Sequence, residues 1–503
     1  MNRRRFLKYA CASAAVVGAS AFGLEYFLTN PTLTSPSSSA TAGMHMGPAI
    51  TNLQWTPTKV VSGKVYDGTV SFDVTAGTSP LVFASLQFDP LYPPQIPPAA
   101  ISQENDRSYA FALGSGVASS SSSSALTANL SQAISDLVGG KQYRAQVTAK
   151  DQYGGQTQAN LDIPYIREFE NASGKSNYLV GAIYLSWWEN PCQPNQFCHW
   201  NEVEADFAKG TTPLGTPLLG LYNSADPSVI AKHIDWATGF GIDYFLCEYR
   251  GPELTPLRLS WLLAHPMMSQ MKFALAYTTV ILVPDQDVGK LKFLNLNDPS
   301  TYSQLQYDFD YMAAHYFTHP SYLRLNGRPV VLMYETFPIR DVSPLTRLKK
   351  HMRDNGQDVY LIGDEISYGD PINVQRLGVF DGISDTNDYI PPSEGPSLSQ
   401  DEIIAEYTRW QSGAHSAGIE LVPFGLPGYD DSHLNDRPKG YGYLPKSTRF
   451  FASTMKTATQ FADKHRLLGI VTFDDWGENT FIEPSVEDGF KYLQTLRDAL
   501  AGH

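Results

Sequence analysis

The feature that most constrains the fold of this chain is a series of apolar segments that alternate with helical patterns after residue 178. The segments span residues 179–185, 242–247, 272–277, 329–334, 359–362, 380–384, 419–425 and 468–473. Helix starts lie between them: Asp226-Pro227 supplies a cap and a first-turn proline, and Ser399 with Glu402 forms a capping box. Eight strands alternating with helices over roughly 320 residues are typical of a (β/α)8 TIM barrel. The sequence therefore predicts an α/β barrel over residues 178–503.

A different pattern occupies residues 48–166, where short strand-like segments follow one another with turns between them. They cover residues 50–55, 68–74, 81–88, 109–113, 125–130, 142–149 and 156–163. This spacing predicts a β-sandwich, and a polar linker at 167–177 separates it from the barrel. The stretch LVGGKQYRAQVTAKD, with Leu137, Gly140 and Tyr143, resembles the tyrosine corner of fibronectin type III and immunoglobulin-like modules. We expect an accessory module or spacer, because the region holds no cluster of acids or histidines.

The N-terminus has the pattern of an export signal. Residues 1–28 begin with consecutive arginines followed by Phe6, Leu7 and Lys8, and continue into an apolar run. The arginines resemble a twin-arginine signal, which implies a prokaryotic protein exported to the cell envelope or the extracellular space. Cleavage and retention of residues 9–28 as a membrane tether are both left open. Residues 29–47, rich in Ser, Thr, Pro and Ala, are predicted to be a flexible linker.

The amino-acid composition limits the classes of partner that the chain is expected to bind. The formal net charge is −14, and no stripe of Lys and Arg interrupts it, which argues against a nucleic-acid partner. A carbohydrate fits better, because Phe, Trp and Tyr make up 12% of the chain and sugar rings stack on aromatic planes. No cofactor or metal is predicted. Cys192 and Cys198 bracket a short loop, and the sequence leaves open whether they form a disulfide or remain thiols. Cys247 is predicted to be a thiol in the core. The oligomeric state is left open.

Acids and aromatic residues follow the predicted barrel strands, where active sites of barrels lie. In chain order they are Trp187, Trp188 and Glu189; Glu248, Tyr249 and Arg250; Tyr277; Glu335; Asp364 and Glu365; Asp385, Asn387 and Asp388; Tyr429, Asp430 and Asp431; and Asp475 with Glu478. Carboxylates gathered at one rim repel one another and raise one another's pKa. The pattern therefore indicates a carbohydrate cleft.

The last of these groups lies in the segment VTFDDWGENTFIEPS. It delivers Asp475, Trp476 and Glu478 after a predicted strand, with Glu483 a few residues later. Ser485 with Asp488 predicts a helix that begins directly after this loop. Acids paired so closely are typical of glycosidases. The alternative is a solvated acidic loop that caps a helix.

Four motifs together resemble glycoside hydrolase family 99, the endo-α-mannosidases and endo-α-mannanases. They are IYLSWWENP with the following Cys198-His199-Trp200-Asn201, RPVVLMYETF, VPFGLPGYDDS and VTFDDWGENTFIEP. The resemblance extends over residues 178–500. It implies a retaining endo-glycosidase in which Glu478 is the general acid/base and Asp475 is the carboxylate that acts on the 2-hydroxyl of the sugar, through a 1,2-anhydrosugar.

The resemblance also implies a set of residues that contact the substrate. We predict these to be Tyr184, Trp187, Trp188, His199, Asn201, Glu248, Tyr277, Tyr334, Glu335, Tyr429, Trp476 and Glu483. The chain departs from the family in its catalytic motif, where Asp475 replaces Glu and Asp474 replaces Asn. It departs again where Tyr277-Thr278-Thr279 replaces His-Ile-Glu-Pro.

These observations predict an exported glycoside hydrolase that cleaves within a glycan, with an α-mannoside as the substrate implied by the resemblance. Two other functions stay open: an inactive carbohydrate-binding barrel, and a cell-surface structural or adhesion protein. Structural roles also stay open for single residues. Trp187 or Trp188 would then close the barrel, Glu335 would pair with Arg340 or Arg328, and His199 would be a hydrogen-bonded loop residue.

Overall fold

The computed structural model describes residues 46–91, 107–112, 127–190, 199–282, 293–366, 372–386, 399–434 and 443–501. The predicted export signal, most of the linker, Cys192, Cys198, Asn387 and Asp388 lie outside the described residues. Within them, no helix has the length and apolar character needed to cross a membrane. The chain divides into two compact units, and the second begins at Ala172.

The N-terminal unit consists of two antiparallel sheets. Its strands are β1 (Ala49–Val61), β2 (Lys64–Thr75), β3 (Leu81–Leu91), β4 (Arg107–Ala112), β5 (Thr127–Ile134), β6 (Lys141–Asp151) and β7 (Gln156–Ile166). One sheet has the order β1-β2-β5 and the other β4-β3-β6-β7. Alternate residues of each strand are buried, and both sheets contribute to one apolar core that includes Phe72, Leu86 and Val147. Each predicted strand is present, most of them longer than predicted.

Tyr143 anchors the turn before β6. Its hydroxyl lies 3.3 Å from both the backbone nitrogen and the carbonyl oxygen of Val138, and its ring stacks on Phe88 with centroids 5.0 Å apart. This hydroxyl-to-backbone contact a few residues upstream is the geometry of a tyrosine corner.

The second unit is built on a parallel sheet. Its strands are β8 (Leu179–Tyr184), β9 (Tyr244–Tyr249), β10 (Lys272–Thr278), β12 (Arg328–Tyr334), β13 (Tyr360–Asp364), β14 (Gly382–Ser384), β15 (Glu420–Val422), β16 (Phe424–Gly425) and β19 (Leu467–Ile470). The order is β15-β14-β13-β12-β10-β9-β8-β19-β16, and the short strand β11 (Arg324–Leu325) pairs with β12. A separate hairpin joins β17 (Tyr429–Asp430) and β18 (Tyr443–Leu444).

Helices connect these strands. They are α1 (His199–Glu202), α2 (Pro227–Gly239), α3 (Thr255–Ala264), α4 (Pro299–His315), α5 (Ser343–Asp354), α6 (Val374–Leu377), α7 (Gln400–Ala417), α8 (Thr448–Phe461) and α9 (Lys491–Ala501), with 3₁₀ turns at Pro266–Gln270 and Thr279–Leu282. The nearly closed parallel sheet with its helices is a TIM-barrel-like α/β fold, in agreement with the alternation of strands and helices in the sequence.

The seventh predicted strand closes this sheet in two parts. Pro423 interrupts it, so that β15 pairs with β14 while β16 pairs with β19. Proline has no N–H to continue a ladder, but its carbonyl oxygen accepts a hydrogen bond from the Gly469 nitrogen at 3.0 Å. A side chain at Gly469 would lie 2.2 Å from the Phe424 ring, so the glycine permits the close approach of β16 and β19.

The helix predicted to begin at Ser485 starts later. The Ser485 hydroxyl does accept from the Asp488 nitrogen at 3.0 Å, as a capping box requires. However, Gly489 adopts a left-handed conformation with φ of 55°, which ends the turn, and α9 begins at Lys491.

Candidate active site

The loop after β19 holds both predicted catalytic acids. One oxygen of Asp475, Oδ1, accepts hydrogen bonds from the backbone nitrogens of Gly477 at 2.8 Å and Glu478 at 2.9 Å. The backbone nitrogen of Asp475 donates to the Thr472 hydroxyl at 2.8 Å. Asp475 and Glu478 are both half-buried. This Asx-type turn therefore places the Asp475 carboxylate beside the backbone of Glu478, at the carboxyl end of the barrel.

A second loop meets this one. The carbonyl oxygen of Glu478 accepts a hydrogen bond from the Asp430 nitrogen at 2.8 Å. Asp430 belongs to β17, whose first residue, Tyr429, is buried. The turn after the seventh barrel strand and the loop after the eighth are thus joined at Glu478.

Beneath the acids lies a buried group that we call the support layer: Glu483, Trp476, Tyr222 and His233. Glu483 accepts hydrogen bonds from the Tyr222 hydroxyl and the Trp476 indole, both at 2.8 Å, and its other oxygen lies 3.2 Å from His233 Nε2. The Trp476 ring stacks on Phe481 at 3.7 Å. Trp476 and Glu483 were predicted to contact substrate, and the structure places both side chains in the interior, where they bond within the protein.

Asp474, adjacent to the catalytic pair, is also fully buried. Its Oδ1 accepts from the Leu185 nitrogen at 2.8 Å, while Oδ2 has no partner among the described residues. Burial, and then the nearby Glu483, raise the pKa of Asp474 well above its usual value. A carboxyl that stays protonated is a neutral side chain, as the Asn in the related motif is. The sequence marked Asp474 only as a departure and gave no sign of its burial.

Tyr184, at the end of β8, and Trp188, which follows that strand, are interior as well. Tyr184 stacks on Phe245 with centroids 4.3 Å apart, and its hydroxyl lies 3.1 Å from His233 Nδ1. Trp188 packs on Trp200 at 4.3 Å and donates its indole N–H to the Asp474 carbonyl oxygen at 3.0 Å. Both were predicted as substrate contacts, and the structure shows them packed among other side chains. For Trp188 this is the structural alternative that the sequence left open.

Tyr277 is turned away from the rim. Its hydroxyl donates to Asp308 Oδ2 at 2.8 Å, and Asp308 belongs to α4, on the outer side of the sheet. Tyr277 was predicted as a substrate contact, and because side chains alternate along a strand, the next residue takes the opposite face. That residue, Thr278, donates its hydroxyl to Glu248 Oε1 at 3.2 Å.

Trp187 lies in contact with charged and aromatic neighbours. The His199 ring stacks on it at 4.4 Å, and the Arg250 guanidinium lies 4.6 Å from its centroid. Arg250 Nε is 2.8 Å from Glu248 Oε1. Protein groups therefore occupy much of the half-buried Trp187 ring, which was predicted to be a stacking floor for a sugar.

His199 and Asn201 belong to the short helix α1. His199 is buried, with Nδ1 3.0 Å from Glu202 Oε2, whereas Asn201 is exposed. Burial, followed by Arg258 and Arg250, lowers the pKa of His199 well below its usual value. The imidazole is therefore neutral at neutral pH.

The rim beyond β12 and β13 is organised by Asp364. Glu335 has a left-handed backbone with φ of 52°, and its nitrogen donates to Asp364 Oδ2 at 3.0 Å. Thr386 donates its hydroxyl to the same oxygen at 2.7 Å, and its nitrogen donates to Oδ1 at 3.0 Å. Burial raises the pKa of Asp364 to about 6. Glu335 and Tyr334 are half-buried at the end of β12.

A pairing of Glu335 with Arg328 is contradicted. Arg328 stands at the opposite end of β12 and lies 2.9 Å from Asp381. Glu365, a candidate from the rim, is bound by Arg376 through two hydrogen bonds at 2.6 and 2.7 Å and is buried. Among the described residues, no group of three or more His, Cys, Asp and Glu side chains is arranged to hold a metal ion.

Comparisons with known proteins agree with the resemblance to glycoside hydrolase family 99, although the sequence identities are low. A family profile described as "Glycosyltransferase WbsX" matches residues 298–496, which include Asp475 and Glu478. The glycoprotein endo-α-1,2-mannosidase of Rattus norvegicus is 22% identical over 347 residues, which cover 62% of this chain and 68% of that protein. Protein WxcX of Xanthomonas campestris is 27% identical over 203 residues, covering 37% of this chain and 29% of its own length.

One solved structure, the GH99 endo-α-mannosidase from Bacteroides thetaiotaomicron, superposes with a TM-score of 0.49 at 18% identity. The match covers 64% of this chain and 98% of that one.

Proposed function

We propose that this protein is a glycoside hydrolase that cleaves bonds within a glycan. The observation that carries the proposal is that Asp475 and Glu478, two half-buried acids, lie in one loop, where Asp475 Oδ1 accepts hydrogen bonds from the Gly477 and Glu478 nitrogens. Paired carboxylates at the carboxyl rim of a barrel are the machinery of glycosidases.

In this proposal the two acids divide the proton transfers. Asp475 removes the proton of the 2-hydroxyl, O2 attacks the anomeric carbon, and Glu478 protonates the leaving oxygen. Water then opens the 1,2-anhydrosugar at the anomeric carbon while Glu478 takes a proton from it and Asp475 returns one to O2. Two inversions give net retention. The two backbone N–H groups on Asp475 Oδ1 orient the carboxylate and stabilise its charge.

The proposal also covers the substrate, the location of the protein and the role of the N-terminal unit. An α-mannoside within a longer glycan is the proposed substrate, since one of the relatives is a glycoprotein endo-α-1,2-mannosidase. Export by the arginine-rich N-terminus, with residues 9–28 cleaved or kept as a tether, would place the enzyme in the envelope or outside the cell. We propose a fibronectin III-like spacer role for the N-terminal unit, supported by the Tyr143 contact.

A second candidate is transfer of the glycosyl group to a sugar hydroxyl instead of water. The description of the matching family profile favours it. The same two acids would serve, with Glu478 activating the acceptor hydroxyl. Products longer than the substrate distinguish transfer from hydrolysis.

The test is incubation of the protein with a panel of α-mannans and α-glucans, with products separated by size. Turnover should fall about 10²-fold to 10⁴-fold in Glu478→Gln and in Asp475→Asn, the range for loss of a general acid or base. Glu487→Gln and Asp498→Asn, matched changes at exposed positions, should leave it unchanged. Asp475→Glu restores the related motif and reports whether the shorter side chain limits the rate.

Three outcomes would redirect the assignment. Unchanged hydrolysis in both Glu478→Gln and Asp475→Asn would show that the site is wrong and make Glu335 the next acid to test. Glycan binding without any cleavage would support the inactive binding barrel. Absence of both binding and cleavage would favour a structural or adhesion role.

A further inference from the structure

The hairpin of β17 and β18 lies directly beside the loop that carries the two acids. The backbone nitrogen of Asp430, in β17, donates to the carbonyl oxygen of Glu478 at 2.8 Å. On its other edge β17 pairs with β18, where Tyr443 lies opposite Asp430. Glu478, Asp430 and Tyr443 therefore lie in a row of adjacent backbone segments. Because neighbouring strands are about 4.8 Å apart, the backbone of Tyr443 lies about 10 Å from that of Glu478.

The register of the hairpin decides which way these side chains face. Directly opposite residues of an antiparallel pair have their side chains on the same face. Tyr429 and Leu444, the neighbouring pair, are both buried. Asp430 and Tyr443 therefore face the opposite side. Since the Asp430 N–H points to Glu478 and away from β18, Asp430 and Tyr443 form a non-hydrogen-bonded pair, in which the side chains are closest.

On that face Tyr443 presents an open aromatic ring. Tyr443 is 60% exposed, whereas Tyr429, which the sequence predicted as a substrate contact, is 3% exposed. Asp430 is half-buried, and its Oδ1 accepts a hydrogen bond from the Ser432 nitrogen at 3.0 Å. Its Oδ2 has no hydrogen-bond partner among the described residues. An aromatic plane beside a free acceptor suits a sugar, because the C–H face of the sugar stacks on the ring while a hydroxyl donates to the carboxylate.

The hairpin is also fixed at its base. Gly428 has a φ of 154°, and a side chain there would collide with the backbone of Lys446, so the glycine permits the close approach of the two ends of the hairpin. Lys446 lies over the Phe481 ring, which stacks on Trp476 in the loop after β19. The hairpin thus holds the Tyr443 ring in place relative to that loop, and such preorganisation lowers the entropic cost of binding a ligand.

We propose that Tyr443 is the platform of a sugar-binding subsite, with Asp430 as the acceptor for a sugar hydroxyl beside it. The inference rests on the proposed glycosidase function, which places the reacting sugar at Glu478. The separation of about 10 Å exceeds the length of one pyranose ring, so the subsite binds a unit beyond the bond that is cleaved. Glycans longer than a disaccharide therefore reach Tyr443, and disaccharides bound at the acids do not.

The test measures equilibrium binding of short and long oligosaccharides to the full chain carrying Glu478→Gln. The probes are α-1,2-linked mannobiose and mannotetraose, chosen from the mannosidase relative, together with maltose and maltotetraose. The tetrasaccharide of one pair should bind more tightly than its disaccharide. Tyr443→Thr removes the ring but keeps a strand-forming side chain, so it should weaken tetrasaccharide binding by about 5-fold to 20-fold and leave disaccharide binding unchanged.

Further variants separate stacking from a structural effect. Tyr443→Phe keeps the ring and should retain the tetrasaccharide affinity. Asp430→Asn keeps an acceptor for the Ser432 nitrogen and should weaken the same probe by about 2-fold to 5-fold. Tyr307→Thr, at a tyrosine of α4 with 55% exposure, is the matched control and should have no effect.

Proton NMR gives a second readout that a change in folding would not imitate. A sugar stacked on the Tyr443 ring has its C–H signals shifted upfield by the ring current. The shift should appear with the Tyr443→Phe protein and disappear with the Tyr443→Thr protein.

Equal affinity for disaccharides and tetrasaccharides, unchanged tetrasaccharide affinity in a folded Tyr443→Thr protein, or no binding of any probe would overturn the proposal. The readout is independent of cleavage. Tetrasaccharide binding that needs Tyr443, with no hydrolysis of any glycan, would support the subsite and reject the glycosidase. Hydrolysis that depends on Glu478 and has the same KM in Tyr443→Thr would do the reverse.

Discussion

The loop after β19 contains two kinds of carboxyl group within a few residues. Asp474 and Glu483 are buried, whereas Asp475 and Glu478 are half-buried at the rim. Glu483 receives two hydrogen bonds at 2.8 Å from Tyr222 and Trp476, so its burial is compensated. Burial and hydrogen-bond partners, rather than residue type, therefore decide which acids stabilise the loop and which are available for chemistry.

The largest effect on stability is expected from Glu483→Gln. The amide keeps one acceptor oxygen, which can serve Tyr222 and Trp476, but it loses the negative charge and places an NH₂ group where the second carboxylate oxygen faces His233. Removing one partner of a buried charged network should lower the free energy of unfolding by about 3–5 kcal/mol, measured by urea denaturation. The matched rim change, Glu478→Gln, should stay within about 0.5 kcal/mol of the wild type. Equal losses in both variants would abolish the distinction between the two kinds of acid.

Asp474→Asn should change the pH dependence of stability. Because the pKa of Asp474 is raised in the folded state, the unfolded chain releases its proton first, and stability falls as pH rises above about 4. The slope from this group is about 1.4 kcal/mol per pH unit until the folded carboxyl also ionises. The advantage of the Asn variant over the wild type should therefore grow between pH 4 and 7. Parallel stability curves would contradict a buried, neutral Asp474.

Lys446→Met tests how much the burial of an amine against Phe481 costs. The Lys446 ammonium is buried 2.7 Å from the Phe481 ring centroid and has no hydrogen-bond partner among the described residues. Burial lowers its pKa well below the usual value, although Asp488, Glu483 and Glu487 oppose this. Methionine should raise the free energy of unfolding by about 1–3 kcal/mol at pH 7.

The gain from Lys446→Met should shrink as pH rises toward 10.5. The folded pKa is the lower one, so the cost of burying this cation begins below the unfolded pKa and increases as pH falls. Lys491→Met, at a side chain with 63% exposure, is the matched control and should show no such trend. A loss of stability in Lys446→Met would mean that the cation supports the loop.

The smallest effect is expected on the N-terminal sheets, at the exposed ion pair of Arg144 and Asp162. These side chains are separated by 2.6 Å, but they are 43% and 48% exposed. Water and salt screen such a pair, so Arg144→Ala should cost about 0.5 kcal/mol or less in thermal or urea unfolding. A loss as large as that of Glu483→Gln would show that exposure is a poor guide to the role of a charged group in this protein.

Local sequence signals predicted much of the architecture. The capping box of Ser399 and Glu402 and the Asp226-Pro227 start are both present, because capping is decided within one turn. The strands of the N-terminal unit followed from their alternating pattern, since one face of each is buried. The placement of Asp475 and Glu478 in one loop was predicted from their separation by three residues.

The orientation of side chains in the barrel could not be predicted from such local sequence signals. Strands of a parallel sheet are buried on both faces, so their sequences are continuously apolar and carry no alternation that marks the inner face. A shift of one residue moves a side chain to the other face. For this reason the sequence did not indicate that Tyr277 faces Asp308 while Thr278 faces Glu248, or that Trp188 and Tyr184 are buried.

The sequence by itself thus determined the order of strands and helices, the separation into two patterns, and the loop that carries the paired acids, since all of these depend on neighbours in the chain. Only the tertiary structure decided that Asp474 and Glu483 lie inside while Asp475 and Glu478 remain at the rim. It also paired β17 with β18, so that Tyr443 lies opposite Asp430. Burial and the meeting of separate loops depend on how strands pack across the barrel, and no pattern within a single segment encodes them.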